Sequence, residues 1–306
     1  MKALVFGSNG LVGSSVGRIL ENSTQIDTVV LSNRQDTDLF NLDETKKIIK
    51  ETKPQYIINA AAKVGGINAN NTKRADFILD NLKINLNILE ATIPFTDIKI
   101  INLGSSCIYP LNASNPIKEE SFMTGLLEPT NSPYAMAKLS AIEIGRALNQ
   151  QYGHIVINLM PTNLYGPNDN FSENDSHVIP GLIKRMHTAK INNEKEFSIW
   201  GSGKPLREFL YVDDLSMSIL HIIENQIEDD LINIGSGEEI SIYDLSLKIK
   251  NILDFQGEII FDTSMPDGNP KKLIDSTKIN SYGWRHQTSL DEGLKKTYDW
   301  FLENIA

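Results

Sequence analysis

Five short apolar runs, each separated from the next by a helix-like stretch, limit what this chain can fold into more than any other feature. "ALVFGS" and "DTVVLS" flank the helical "SSVGRILEN", and "QYIINAAA" follows "DETKKIIKETKP", whose helix stops at Pro54. "KIINLGSSC" follows a helical stretch from Phe77 to Thr92, and "HIVINLMPTN" follows a helix from Ala135 to Tyr152. Runs that are apolar on both faces, with helical returns, predict a parallel sheet covered on both sides, the doubly wound α/β arrangement. In such a sheet the ligand crevice lies beyond the carboxyl ends of the strands.

The chain has 306 residues, 41% hydrophobic and 22% charged, enough for one large or two smaller lobes. Its opening "MKALVFGSNG" reads as a first strand and not a leader, because Gly7 and Asn9 interrupt the apolar run at once. No stretch is apolar for long enough to suggest a membrane span. A single cysteine excludes an internal disulfide and a cysteine-rich zinc site, so the cytoplasm is the expected compartment. A net charge of −10 argues against nucleic acid as a partner, but not against a phosphate held by a few local cations. His154, His187, His221 and His286 show no metal-ligand spacing, and no metal is expected.

Gly7, Gly10 and Gly13 fall between the first strand and the first helix. That placement suits a pyrophosphate, which needs backbone amides at close approach and a helix N-terminus behind them. The spacing G-x-x-G-x-x-G is a weak signal alone, since any tight strand-to-helix turn favours glycine. The second strand ends in Ser32, Asn33 and Arg34, with no carboxylate to accept ribose hydroxyls. Arg34 suits the extra phosphate of NADP(H), the expected cofactor; its bland alternative is a solvated surface arginine.

Ser105 is read at the end of the fourth strand, and Tyr134 and Lys138 share one helix face four residues apart. A phenol whose pKa is lowered by a lysine can give a proton to a carbonyl oxygen that a serine hydroxyl polarises. The bland alternative is an ordinary amphipathic helix. Beyond about residue 165 the rhythm turns irregular: the polar loop "GPNDNFSENDSH", a helix from "VIPGLIKRMHTAK", strand-like "EFSIWGSG" and "REFLYVDDL", and a final helix capped by Ser289. The expected division is a dinucleotide-binding (Rossmann) domain from residues 1–165 plus part of 208–235. A smaller, partly discontinuous α/β substrate-binding lobe takes 166–207 and 236–306.

The glycine loop, Ser105, Tyr134, Lys138, "NLYGP" and "REFLYVDDL" together resemble the extended short-chain dehydrogenase/reductases that act on nucleotide sugars. Within that group, "NAAAKVGGINANNTKRADF", "GSSCIYP", "EPTNSPYAMAK", "MPTNLYGPNDNF", "SHVIPGLIKR", "WGSGKPLREFLYVDD" and "PDGNPKKLID" are similar to the GDP-L-fucose synthase family. The resemblance implies a GDP-sugar substrate, GDP-4-keto-6-deoxy-D-mannose, inverted at carbons 3 and 5 and then reduced at carbon 4 with NADPH. It implies Ser105, Tyr134 and Lys138 as the reductase set, and Cys107 with His177 as the epimerisation pair. Implied cofactor contacts are Gly7, Ser8, Asn9, Gly10, Leu11, Val12 and Gly13; Arg34, Asp38 and Leu39; Leu103, Gly104, Ser105 and Ser106; Lys138; Pro161, Thr162, Asn163 and Leu164; and His177. Implied substrate contacts are Arg185, Trp200, Arg207 and Asp267, and a homodimer is implied as well. Asn9 departs from an arginine common in the family's loop, which leaves Arg34 more of the discrimination for NADP.

The cysteine can also be weighed on chemistry alone. A ketone at carbon 4 acidifies both neighbouring carbons, and inversion needs a proton taken from one face and returned to the other. Two carriers are therefore expected; a thiol and an imidazole titrate near neutrality and suit the task. On a regular strand Cys107 would face the same way as Ser105. Its bland alternative is a small core residue, and that of His177 is a cap for the helix beginning near Val178. Lys184 beside Arg185 is either a pyrophosphate contact or solvated, and Trp200 either stacks on guanine or packs the second lobe. A related GDP-4-ketosugar, dideoxy or heptose, would need the same groups. A 4-epimerase with bound NAD would not need Cys107 and His177, and an idle NADP-sensing module would bind without turnover.

Overall fold

The computed structural model describes residues 1–172, 175–264, 267 and 269–306. Residues 173 and 174 of the polar loop, and Pro266 and Gly268 of "PDGNPKKLID", lie outside them. The first half runs β1 (Lys2–Phe6), α1 (Leu11–Glu21), β2 (Thr28–Ser32), α2 (Leu42–Thr52), β3 (Tyr56–Asn59), α3 (Ile67–Thr72), α4 (Arg74–Thr92), β4 (Lys99–Leu103), α5 (Ser132–Tyr152) and β5 (Val156–Pro161). Then come β6 (Asn163–Tyr165), α6 (Val178–Ile191), β7 (Glu196–Trp200), β8 (Leu206–Tyr211), α7 (Val212–Glu224) and β9 (Leu231–Ile234). The chain ends with β10 (Glu239–Ser241), α8 (Ile242–Leu253), β11 (Glu258–Asp262), β12 (Lys271–Lys272), α9 (Thr277–Ser281) and α10 (Leu290–Asn304).

Six strands form an all-parallel sheet in the order β2-β1-β3-β4-β5-β9, so the doubly wound reading holds. Strand order reverses between β1 and β3, and the crevice of such a sheet opens at that switch point. One face packs Val16 and Leu20 of α1 with Leu215, Ile219 and Ile223 of α7. The other buries Ile49 of α2 with Ile84 and Ile88 of α4. Among the described residues, no helix is long and apolar enough to cross a membrane.

The sheet interior is not wholly apolar. Asn59, Asn102 and Asn158 sit side by side in register on β3, β4 and β5, each at most 2% exposed. Asn59 Nδ2 donates to Asn102 Oδ1 at 2.9 Å, Asn102 Nδ2 to Asn158 Oδ1 at 3.1 Å, and Asn158 Nδ2 to the Asp230 carbonyl at 3.0 Å. A buried amide is tolerable when its hydrogen bonds are made, and this ladder makes them across three strands.

The smaller lobe has its own core, where Phe171, Ile183, Phe197, Leu245, Phe255, Leu294 and Phe301 meet. Ser289 caps α10 as expected, accepting from the Glu292 amide. Ile279 and Trp284, although in the segment assigned to this lobe, pack into the core beneath the large sheet. A second small sheet joins the two lobes: β8 pairs with β6, β10 and β12. At its centre Glu208 is fully buried, and its carboxylate accepts from the Gly237 amide at 2.7 Å and the Ile274 amide at 3.2 Å. Burial raises the pKa of that carboxyl, and the amide donors pull against the rise.

Replacing Asn102 by Ala breaks the ladder in the middle and strands the Asn158 side-chain Oδ1. The expected loss is about 1–3 kcal/mol of stability, read as a lower urea midpoint at unchanged slope.

Candidate active site

The glycine turn is a matter of space. Gly7 has φ +77°, and a Cβ there would lie 2.7 Å from the Ala61 amide nitrogen on the loop after β3. A Cβ on Gly13 would lie 2.1 Å from the Gly7 carbonyl oxygen, so both positions exclude any side chain. Gly10 is the N-cap of α1, with no side-chain cap and no acidic residue in the first turn. That helix end, its amides uncapped by the chain, fits a pyrophosphate. Arg34 is exposed, lies 5.5 Å over the Phe40 ring and has no ion pair among the described residues. Nearby acids are occupied with the backbone: Asp36 accepts from the Asn33 amide and Asp38 from the Phe40 amide.

Ser105 lies two residues past β4, not on its end, and the strand stops at Leu103. Residues Ser106–Ile108 form a 3₁₀ turn that Ser105 caps, its Oγ accepting from the Cys107 amide at 3.2 Å. The alternation expected of a regular strand therefore does not orient Cys107; the capped turn does. The thiol is partly buried, with Asn131 Nδ2 at 3.4 Å and Lys272 Nζ at 3.7 Å from Sγ. Neither neighbour was singled out from sequence. Asn131 precedes the Tyr134 helix in "EPTNSPYAMAK", and Lys272 lies 165 positions from Cys107, a separation only the tertiary fold closes.

Tyr134 stands in the first turn of α5, which begins at Ser132 with Pro133 next to it. Lys138, one turn on, is 2% exposed and donates from Nζ to the Leu103 carbonyl at 2.6 Å, so α5 is fastened to the end of β4. The expectation that this lysine lowers the phenol's pKa is overturned here. Burial first, and then the nearby Cys107 thiol, hold the Tyr134 phenol well above its ordinary value, while a hydrogen bond with Ser105 pulls it back only in part. Lys138 itself is brought down to about 8 by burial.

His177 is the N-cap residue of α6 but makes no side-chain cap. Its placement depends on two glycines of "AAKVGGI". The Gly66 amide donates to the Asp175 carbonyl at 3.0 Å, and a Cβ on Gly66 would lie 2.5 Å from the Ser176 carbonyl oxygen. A Cβ on Gly65 would meet the Ala69 side chain at 2.9 Å and the Phe77 ring at 3.3 Å, and Phe77 packs edge-on against Tyr134. Contacts thus run from Tyr134 through Phe77 and the two glycines to the residue before His177.

In the smaller lobe, the Arg185 guanidinium of α6 lies 5.3 Å over Trp200 of β7, which is 58% exposed. Burial lowers the pKa of Arg185 and of Arg207, and both donate to backbone carbonyls, of Ser198 and Leu206. Asp267 ties the turn after Trp200, accepting from the Ser202 amide at 2.6 Å and its hydroxyl at 2.8 Å. Arg207 is paired in register with Lys272. The arginine strand is therefore one strand away from the lysine at the thiol.

A glycine turn that fits a pyrophosphate, a serine–tyrosine–lysine cluster past the sheet's carboxyl edge and a second small core in the other half of the chain are the arrangement of a nicotinamide-dependent enzyme. The chain belongs to the NAD dependent epimerase/dehydratase family, whose model matches residues 3–235. A GDP-L-fucose synthase of Sinorhizobium fredii (strain NBRC 101917 / NGR234) is 47% identical over 302 residues, 99% of this chain and 96% of the relative. That of Escherichia coli (strain K12) is 42% identical over 312 residues, 99% and 97%. A crystal structure of a GDP-L-fucose synthetase from Naegleria fowleri bound to NADP superposes with a TM-score of 0.89 at 33% identity, covering 99% and 94%.

Gly66→Ala pushes the segment before His177 outward without straining φ. Proton exchange on a ketosugar should fall about tenfold or more while the protein stays folded, checked by deuterium incorporation alongside circular dichroism. Lys138 makes a second prediction. Its folded pKa lies below the free value of 10.5, so the native state carries a buried charge below pH 8 and sheds it as pH rises. Wild type should therefore gain up to about 3 kcal/mol of stability relative to Lys138→Met as pH rises from below 8 to past 10.5, read as a pH-dependent difference between their denaturant titrations.

Proposed function

We propose that this protein converts GDP-4-keto-6-deoxy-D-mannose to GDP-L-fucose by epimerisation at carbons 3 and 5, followed by reduction at carbon 4. The observation that carries the reading is the Cys107 thiol beside Tyr134, with Asn131 and Lys272 against its sulfur. Reduction alone needs no thiol there; inversion needs a proton carrier.

In this reading Cys107 takes the proton from the acidified carbon, and the electron pair moves onto the carbonyl oxygen as an enolate. Lys272 Nζ and Asn131 Nδ2 face the sulfur at 3.7 and 3.4 Å, a cation and a donor beside the group that takes the proton. His177 returns a proton to the opposite face. Tyr134 and Ser105 hold the enolate oxygen as donors, and a phenol kept protonated by burial is suited to that task. The same phenol then supplies the proton that completes the carbon 4 hydroxyl. Lys138 fixes α5 against β4 and holds the ribose of the cofactor. Arg185, Trp200, Arg207 and Asp267 hold the nucleotide half of the substrate.

The cofactor is NADP(H), which supplies the hydride for carbon 4. The Gly7–Gly13 turn would hold its pyrophosphate and Arg34 its 2′-phosphate. The stretches carried over by resemblance, Asp38 and Leu39, Leu103 to Ser106 and Pro161 to Leu164, would line the rest of its cleft. The protein acts as a homodimer through α4 and α5, where Leu79, Leu86 and Met136 are exposed.

The test is a panel of GDP-4-ketosugars, 6-deoxy-manno, dideoxy and heptose, in D₂O, first without and then with NADPH or NADH, with products resolved by NMR. Deuterium should enter carbons 3 and 5 of the 6-deoxy-manno sugar before cofactor is added, and NADPH should then give the fuco product faster than NADH. Undiminished exchange at both carbons in Cys107→Ala removes the thiol from the chemistry, and turnover confined to another sugar replaces the substrate.

A further inference from the structure

One buried carboxylate near the cleft has no role in the reading above. Asp169 follows the turn after β6, its amide donating to the Gly166 carbonyl at 3.3 Å, with Asn168 at φ +63°. The Asp169 side chain is only 3% exposed. Its Oδ1 accepts from the Asn170 amide at 2.7 Å, and its Oδ2 is buried with no hydrogen-bond partner among the described residues. An ionised carboxylate so placed is costly unless a cation or donor faces it. The group that faces it is His177, whose Nδ1 lies 3.9 Å from Oδ1, within ion-pair reach and just beyond a hydrogen bond. The other carboxylate beside His177, Asp175, is taken by Lys73 at 2.9 Å.

The contrast between the partners matters. The imidazole is 43% exposed and the carboxylate 3%, so a partly open ring has a buried acceptor within ion-pair reach of its Nδ1 edge. Which ring nitrogen keeps the proton is set by the bond the other edge makes. The segment is also anchored, Asn168 Nδ2 donating to Ser14 Oγ of α1 at 3.2 Å.

We propose that Asp169 is a positioning residue for His177, holding the neutral ring as the Nδ1–H tautomer so that Nε2 is the nitrogen that exchanges protons. It rests on the reading of His177 as a proton carrier. When the imidazolium returns its proton, the Nε2–H bond breaks, a carbon–hydrogen bond forms from the enolate's electron pair, and the carbonyl is restored. The ring is left with its proton on Nδ1, the form a carboxylate at that edge stabilises. Asparagine at 169 keeps the shape but can offer an N–H to Nδ1, which favours the opposite tautomer.

The full chain is labelled with ¹⁵N in its histidine rings, and His177 is assigned by the signal lost in His177→Gln. At a pH where the ring is neutral, wild type should show the Nδ1–H signature, and Asp169→Asn should show Nε2–H. Exchange of deuterium into the carbon that His177 serves should fall about tenfold or more in the variant. A wild-type spectrum of the Nε2–H form overturns the proposal, even if the variant fails to fold. So does an Asp169→Asn protein that keeps the Nδ1–H form and full exchange. The tautomer is read without substrate, so a wild type that exchanges no deuterium into any ketosugar defeats the functional reading while leaving the contact standing.

Discussion

The Lys138 ammonium on the Leu103 carbonyl is the joint that the rest of the site depends on. It closes at 2.6 Å inside the protein, where a lysine without an acceptor would not be tolerated in its charged form. By fastening α5 to the end of β4 it sets Tyr134 against the 3₁₀ turn that carries Ser105 and Cys107. Burial raises the phenol and lowers the lysine, so the two groups are driven toward their uncharged forms by the same dry environment.

Around that joint the fold works by close backbone approach. Gly7 lets the turn before α1 press against the loop after β3, Gly13 lets α1 close onto that turn, and Gly66 lets the segment before α6 approach the loop after β3. Glu208 does for the small sheet what Lys138 does for the large one. It gathers amides from two loops onto one buried carboxylate and so fixes the strand that carries Arg207. Through the register of β8 and β12, that strand's position also sets Lys272 beside the thiol.

Much of this was legible in the sequence because it is local or periodic. Five apolar runs with helical returns specify a parallel sheet, a glycine turn marks its ligand edge, and Tyr134 and Lys138 share a face because they are four apart. The asparagines of "IINA", "IINL" and "VINL" went unread in the sequence, because their pairing depends on strand order and register. What misled was extrapolating regular geometry past Leu103, because Ser105 caps a turn there and alternation ends. The sign of the Tyr134 shift was missed for a different reason: burial is a property of the packed molecule, and here it outweighs the hydrogen bond from Ser105 that pulls the other way.

The chain order alone determined the sheet, the glycine turn at its edge and the types of side chain available beside it, since each rests on neighbours a few residues apart. Only the tertiary structure decided what surrounds those groups. Lys272 reaches Cys107 across 165 positions, and the buried Asp169 carboxylate faces His177. Electrostatic surroundings depend on distances through space, and a linear sequence carries those only where the chain folds back on itself at short range.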